Sequence, residues 1–154
     1  MGPSSLKAVE LEQGRDALIQ AGQQLGEWEL VIGSSGNLSM KVGDNVLVTG
    51  SGTQLDRLGH DDLVLVDPNG RVVDGTAQPT SETPLHLAVY AATDATAITH
   101  THAGASVAIS CVESELPALH YPCLQLGGPV RVAPYATYGS NELAEFVVAA
   151  LGLS

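Results

Sequence analysis

The sequence is poor in basic residues. Six lysines and arginines stand against seventeen aspartates and glutamates, and the 154 residues carry a formal net charge of −11. Binding to a nucleic-acid backbone or an anionic membrane needs clustered positive charge, so this composition argues against both partners. A phosphorylated small molecule would have to be held mainly by backbone N–H groups, hydroxyl groups or a metal ion. The basic residues are scattered: Lys7, Arg15, Lys41, Arg57, Arg71 and Arg131.

Long apolar runs and cysteines are also scarce. No segment approaches the ~18–20 consecutive apolar residues of a transmembrane helix. The N-terminus lacks the basic-then-apolar pattern of a secretory signal, so we expect a cytoplasmic protein. Cys111 and Cys123 lie in apolar stretches without the spacing of a metal site, which predicts reduced thiols in the core.

The length suits one ordinary domain, and no internal repeat or linker divides the chain. We therefore predict a single domain over residues 1–154. Residues 1–5, MGPSS, are expected to be a vector-derived remnant and are left out of the fold prediction.

Hydrophobic patterning predicts a mixed α/β chain. Apolar spacing indicates a helix over residues 6–30, and short alternating segments indicate two β-hairpins over 33–55 and 61–75. A second helix is expected after the segment PTSE, with Thr80 or Ser81 as its N-cap and Glu82 in its first turn. The hairpins favour a mostly antiparallel sheet.

Two histidines one residue apart, His100 and His102, end the predicted strand ITHTH. On a strand their side chains share a face at roughly 6.5–7 Å, close enough to converge on one metal ion. With Glu82 they form a donor set suited to zinc or a similar divalent ion, although two polar residues at a strand end would show the same pattern. His86 follows Glu82 by one helical turn and could share its face, but we expect it to be a partly buried helix residue. The candidates for a further ligand are His60, His86 and His120.

Three small polar loops lie between the predicted elements: SGNLS, VTGSG and PTSE. Each alone is consistent with a flexible turn. Glycine-rich loops allow backbone N–H groups to approach an anion, and the third loop opens a helix whose N-terminus favours negative charge. Together they predict an anion site that needs no basic side chain.

These loops are followed by HTHAG, LPALHYPCL and APYATYGSNELAE, and the motifs occur in the order seen in class II, zinc-dependent aldolases. From about residue 10 to 150 the chain resembles the class II aldolase and adducin-head family, in particular its fuculose-phosphate aldolase type. The resemblance implies an α/β/α sandwich around a largely antiparallel central sheet. It also implies a homotetramer with active sites between subunits. The implied reaction is reversible aldol cleavage of a ketose 1-phosphate, such as fuculose 1-phosphate, to dihydroxyacetone phosphate and an aldehyde.

The same resemblance assigns residues to roles. Glu82, His100 and His102 match ligands of Zn²⁺ or another divalent metal, and Glu82 also matches the catalytic base. Tyr121 matches an acid that reaches across the subunit interface. The family's third metal-binding histidine falls beyond Ser154, so we expect the C-terminal part of the family's domain to be absent from residues 1–154. The residues matching the substrate-phosphate pocket are Gly36, Asn37, Ser51, Gly52, Thr80 and Ser81.

Related chemistries stay open at this point. The family that this chain resembles also includes ribulose-phosphate 4-epimerases and a dehydratase acting on methylthioribulose phosphate. A non-catalytic scaffold like the adducin head is the alternative from another functional class.

Overall fold

The computed structural model describes residues 3–116, 118–119, 121–126 and 129–152. Two short 3₁₀ turns, Leu55–Arg57 and His60–Asp62, connect the second and third strands. The helices are α1 Pro3–Glu27, α2 Thr83–Ala92, α3 Gly104–Ser110, α4 Pro122–Gln125 and α5 Asn141–Ala150. The strands are β1 Asn37–Val42, β2 Asn45–Thr49, β3 Leu63–Val66, β4 Val72–Asp74, β5 Ala97–His100, β6 Glu115–Leu116 and β7 Val130–Arg131.

The central sheet has five antiparallel strands in the order β4-β3-β2-β1-β5. The hairpins β1–β2 and β3–β4 confirm both predicted hairpins. The first turns at Gly43, whose positive φ of 58° is a conformation that glycine adopts without steric cost. β5 returns after α2 and pairs with the free edge of β1, with Asn37 opposite His100. Beyond this sheet, β6 and β7 form a separate two-stranded pair.

Both faces of β2 and β3 are buried, because their side chains alternate between two helical layers. Leucines face α1 on one side, and valines face α2 on the other. The cluster on the α1 side contains Leu18, Leu25, Leu38, Leu47, Leu63 and Leu65. The cluster on the α2 side contains Val46, Val48, Val64, Val66 and Tyr90. Together with α5, which packs on α2 through Leu85, Val89 and Ala144, this is the predicted α/β/α sandwich around an antiparallel sheet.

The start of α2 differs from the prediction. The helix begins at Thr83, with Glu82 at the capping position and no side-chain cap bond. The N-cap prediction of Thr80 or Ser81 is wrong because the carbonyl of Thr80 closes a turn instead. It accepts both the backbone N–H and the hydroxyl of Thr83, at 3.1 and 2.7 Å.

The prediction of buried cysteines is also wrong. Both thiols are free, but Cys111 is exposed and Cys123 is only half-buried. Cys111 directly follows α3, which has no buried residue and lies outside the packed faces of the sheet. None of the helices in the described residues is both long enough and apolar enough to span a bilayer.

Helix α1 packs with its backbone against the first 3₁₀ turn. A Cβ atom on Gly22 would lie 2.3 Å from the carbonyl oxygen of Leu55, and one on Gly26 would lie 2.5 Å from Cβ of Asp56. Only glycine permits this approach, since a real side chain would push backbone atoms apart.

Replacing Gly22 by alanine should therefore lower the free energy of unfolding by about 2 kcal/mol, the cost of overpacking. This loss outweighs the gain of up to about 1 kcal/mol in helix propensity. Gly14 is the matched control in the same helix. Its added Cβ would meet a side-chain atom of Val42 at 3.2 Å, so Gly14→Ala should change stability little. Urea unfolding measures both variants, and equal stability for the two would contradict this account of the packing.

Candidate active site

A cavity of about 390 Å³ opens at the end of the sheet where β1, β2 and β5 meet the start of α2. All the residues predicted for the site except Tyr121 line it. Arginine and lysine are absent from its described lining, as the composition led us to expect. The lining residues that match the prediction are Gly36, Asn37, Ser51, Gly52, Thr80, Ser81, Glu82, His100 and His102.

Backbone hydrogen bonds hold the second and third polar loops side by side. The N–H of Thr80 donates to the carbonyl of Thr49 at 3.0 Å, and the N–H of Ser51 donates to the carbonyl of Gln78 at 2.8 Å. The hydroxyls of Ser51 and Ser81 stay exposed to solvent. Thr80 is buried, and its hydroxyl oxygen accepts the N–H of Glu82 at 3.3 Å, which leaves the hydroxyl proton available to a ligand.

The first polar loop fits against β5 only because it contains Gly36. Its φ is +85°, and a Cβ atom there would lie 2.6 Å from the carbonyl oxygen of His100. Any other residue would be strained in this conformation and would collide with the β5 backbone. The loop is thereby held next to the histidine pair.

His100 and His102 lie close together, with ring centroids 5.1 Å apart and planes tilted by 33°. The reason differs from the prediction, because β5 ends at His100 and His102 belongs to the following loop. Burial, and then the neighbouring ring of His102, lower the pKa of His100. Its ring is therefore neutral near pH 7, which is the form that binds metal ions.

Glu82 is buried, with 6 % of its surface exposed. One carboxylate oxygen, Oε1, accepts the N–H of Gly139 at 2.9 Å. The other, Oε2, is buried without a hydrogen-bond partner among the described residues. A buried acceptor left unsatisfied costs free energy, so a carboxylate in this state is suited to bind a ligand, a metal ion or a proton.

Two imidazoles and a carboxylate oxygen without a partner are the donor types that zinc and similar divalent ions take. By donor type, these residues are therefore suited to bind a divalent metal ion. Within the described ranges, however, no group of three or more His, Cys, Asp or Glu side chains is gathered closely enough to hold an ion as it stands, so Glu82 and the histidine pair would have to move together to bind one.

The other histidine candidates are placed as follows. His60 is at the surface, where it contacts Asp16 at 3.0 Å. His86 is fully buried and both its ring nitrogens are hydrogen-bonded to protein atoms, so it has no free nitrogen for a metal. His120 lies outside the described residues.

Sequence reasoning missed two contributors. Gly139 anchors the carboxylate of Glu82, and Tyr138 next to it lines the cavity. Both lie in the segment APYATYGSNELAE, whose place in the motif order was the only available signal. Tyr121 is 71 % exposed and is not among the described residues that line the cavity.

Comparison with known proteins identifies the family. The sequence model of the Class II Aldolase and Adducin N-terminal domain matches residues 16–154, so the chain belongs to this family. Over 139 residues it is 37% identical to a 5-methylthioribulose-1-phosphate/5-deoxyribulose-1-phosphate aldolase of Rhodospirillum rubrum, covering 89% of this chain and 62% of the relative. Over 121 residues it is 38% identical to the L-fuculose phosphate aldolase of Escherichia coli strain K12, covering 77% of this chain and 56% of the relative.

Solved structures agree with this assignment. An L-fuculose 1-phosphate aldolase superposes with a TM-score of 0.86 at 37% identity, over 91% of this chain and 68% of the other. YgbL of Klebsiella pneumoniae, described as a putative aldolase/epimerase/decarboxylase, gives a TM-score of 0.80 at 30% identity, over 93% and 70% of the two chains. Among the curated relatives, the chain spans 62% of the length of the Rhodospirillum rubrum aldolase and 56% of the length of the Escherichia coli aldolase.

The unsatisfied oxygen of Glu82 predicts a stability effect. Glu82→Gln keeps the acceptor for Gly139 and replaces a buried charged oxygen by a neutral group, so the free energy of unfolding should rise by about 1 kcal/mol. Glu82→Ala also removes that acceptor and should lower it by about 1–2 kcal/mol. Denaturant unfolding in metal-free buffer measures both. A Gln variant as unstable as the Ala variant would show that Oε2 is not a source of destabilisation.

Proposed function

We propose that the protein is a metal-dependent aldolase that reversibly cleaves a ketose 1-phosphate to dihydroxyacetone phosphate and an aldehyde. The observation that carries the proposal is the convergence of three groups on one cavity. These are a polar cradle without basic residues, an adjacent histidine pair, and a buried carboxylate with one oxygen unpaired. We further propose a cytoplasmic location for the protein.

The substrate phosphate is assigned to the polar cradle, Gly36, Asn37, Ser51, Gly52, Thr80 and Ser81. Glycines at the first two loops expose backbone N–H groups, and the hydroxyls of Ser51, Thr80 and Ser81 add donors. The N-terminus of α2 adds partial positive charge from the helix dipole at the same place. In a chain of net charge −11, this arrangement binds an anion without arginine or lysine in the cavity.

Glu82, His100 and His102 are proposed to hold Zn²⁺ or another divalent ion. When bound, such an ion supplies Lewis acidity that stabilises negative charge developing on the ketone oxygen of the substrate. The donor types support this assignment, since neutral imidazole and carboxylate are common ligands in catalytic zinc sites.

Glu82 is also proposed as the base. Cleavage breaks the bond between C3 and C4 of the ketose, and a proton must then be delivered to C3. The hydrogen bond from Gly139 fixes one carboxylate oxygen and leaves the other to transfer this proton. In the reverse reaction the same oxygen removes the proton from C3.

Tyr121 is proposed to exchange a proton with the oxygen on C4, acting on a site of a neighbouring subunit in a homotetramer. Its high exposure on a single chain, where it is not among the described residues that line the cavity, supports a role in trans. Other apolar side chains exposed on the described chain, such as Val107, Val112 and Tyr135, suit a subunit interface.

The relatives support the substrate class. Their names specify fuculose phosphate, 5-methylthioribulose 1-phosphate and 5-deoxyribulose 1-phosphate. The last two are ketoses phosphorylated at C1, and cleavage of such a ketose between C3 and C4 releases dihydroxyacetone phosphate. We propose that the cradle binds this phosphorylated half, while the aldehyde half distinguishes the substrates.

Cleavage is tested by incubating the zinc-loaded chain with fuculose 1-phosphate or 5-deoxyribulose 1-phosphate and following dihydroxyacetone phosphate with a coupled NADH assay. Glu82→Gln should lower turnover at least ~100-fold, the usual effect of losing a general base. His100→Ala and His102→Ala should lose both zinc and activity. His60→Ala is the matched control and should keep both, because His60 lies at the surface.

The outcomes separate the alternatives. Product analysis that shows an epimer or a dehydrated sugar would replace aldol cleavage by the corresponding reaction. Zinc bound without any product would favour a non-catalytic scaffold. Equal zinc content in His100→Ala and the parent after dialysis would contradict the ligand assignment.

The role of Tyr121 in trans predicts complementation between inactive variants. Glu82→Gln and Tyr121→Phe should each have low activity alone. When they are dissociated, mixed in equal amounts and reassembled, some sites combine an intact Glu82 with an intact Tyr121 from a neighbour. Random mixing should restore about one quarter of the parent sites. No recovery in mixed tetramers would contradict action across the interface.

A further inference from the structure

A chain of buried polar side chains lies behind the cavity, within the apolar layer between the sheet and α2. Ser39 Oγ is 2.8 Å from the hydroxyl of Tyr90 and 2.6 Å from Nδ1 of His86. Nε2 of His86 is 2.5 Å from Oδ1 of Asn37. Ser39 and His86 have no exposed surface, and Tyr90 and Asn37 have 7 % each. A buried polar network is costly unless every member is satisfied, so this one constrains its members strongly.

With the amide oxygen of Asn37 toward His86, the hydrogens in this network run in one direction. Oδ1 of Asn37 can only accept, so Nε2 of His86 must carry the hydrogen. An imidazole with its single hydrogen on Nε2 has its lone pair on Nδ1, which is then the acceptor toward Ser39. The Ser39 hydroxyl therefore donates to Nδ1, and the Tyr90 hydroxyl donates to Ser39.

At the cavity end, Oδ1 of Asn37 meets a second histidine. Nδ1 of His100 is 3.2 Å away and must also donate to it. With its hydrogen on Nδ1, the imidazole of His100 has its lone pair on Nε2, the atom then available to a metal. Because the amide of Asn37 is planar, an oxygen held toward both histidines turns the NH₂ group away from them. Asn37 lines the cavity, so that group is presented as a donor to an anion.

We infer that His86 is a positioning residue that, with Ser39, locks the Asn37 amide with its oxygen toward the histidines and its NH₂ group toward the cavity. Without the lock, rotation of the amide by 180° would present an oxygen to the anion and repel it. The inference rests on the proposed function in assigning the cavity to a phosphate, and it adds a residue that touches neither substrate nor metal. It also explains why a histidine with no free nitrogen lies in this core.

The test is a double-mutant cycle with inorganic phosphate as the probe, measured by calorimetry on the full 154-residue chain. His86→Leu and Asn37→Ala should each weaken phosphate binding about tenfold, the loss of one hydrogen bond to a charged group. The double variant should bind no more weakly than Asn37→Ala, since His86 acts through Asn37. Additive losses would overturn the inference, as would a parent chain that binds no phosphate at millimolar concentration.

Two conservative variants separate positioning from mere packing. His86→Gln places an amide NH₂ near the former Nε2 and should restore most of the phosphate affinity. His86→Asn places its polar atoms near the former Nδ1 and should not. Thermal unfolding confirms that each variant is folded, and His60→Gln is the surface control. Equal phosphate affinity for the Gln and Asn variants would overturn the inference.

The histidine tautomers can be measured on the parent protein without any ligand, so this test does not depend on whether the variants fold. Long-range ¹H–¹⁵N spectra of the parent should show His86 protonated at Nε2 and His100 protonated at Nδ1, and the opposite tautomer of His86 would overturn the inference. The two proposals fail separately. Phosphate binding that depends on His86 without any cleavage would remove the aldolase function only. Cleavage with unchanged phosphate affinity in His86→Leu would remove the positioning role only.

Discussion

The antiparallel pairing of β1 with β5 is the constraint on which the site depends. It places Asn37, the first residue of β1, opposite His100, the last residue of β5, at one end of the sheet. The Gly36 loop then packs against the backbone of His100, where no side chain would fit. Helix α2 lies over the same end and brings Glu82 and His86 to it. A slip of one residue in this pairing would turn the site residues of β5 to the opposite face.

The sandwich makes that pairing rigid. Strands β2 and β3 are buried on both faces, by leucines toward α1 and valines toward α2, and their register cannot shift without exposing one set. This packing also tolerates local features that oppose stability. Oε2 of Glu82 is buried without a partner among the described residues, and three polar side chains accompany His86 in an apolar layer. Such features concentrate at functional sites because the surrounding structure holds them.

Electrostatics in the cavity follow from the shortage of basic residues. An acidic chain would ordinarily repel a phosphorylated substrate at long range. In the proposed phosphate site, backbone N–H groups, hydroxyls and the start of α2 would counter this locally, since each supplies partial positive charge at short range. Burial, and then the neighbouring ring of His102, lower the pKa of His100, so the His100 ring stays neutral near pH 7 and able to bind a cation. The proposed anion and cation sites can therefore lie side by side without an arginine or lysine in the described cavity lining.

The sequence by itself determined the local elements and the loops that line the cavity. Alternating apolar residues specified both hairpins, helical spacing specified α1, capping residues after PTSE indicated the helix that became α2, and the motif order identified the loops that line the cavity. These features depend on neighbours a few positions apart, which a sequence shows directly. Tertiary structure decided the rest. The bond from Gly139 to Glu82, the exclusion of His86 as a ligand and the meeting of Asn37 with His100 join residues 57, 49 and 63 positions apart. Such contacts exist only once strand pairing and helix packing have closed long stretches of chain, and no local pattern encodes them.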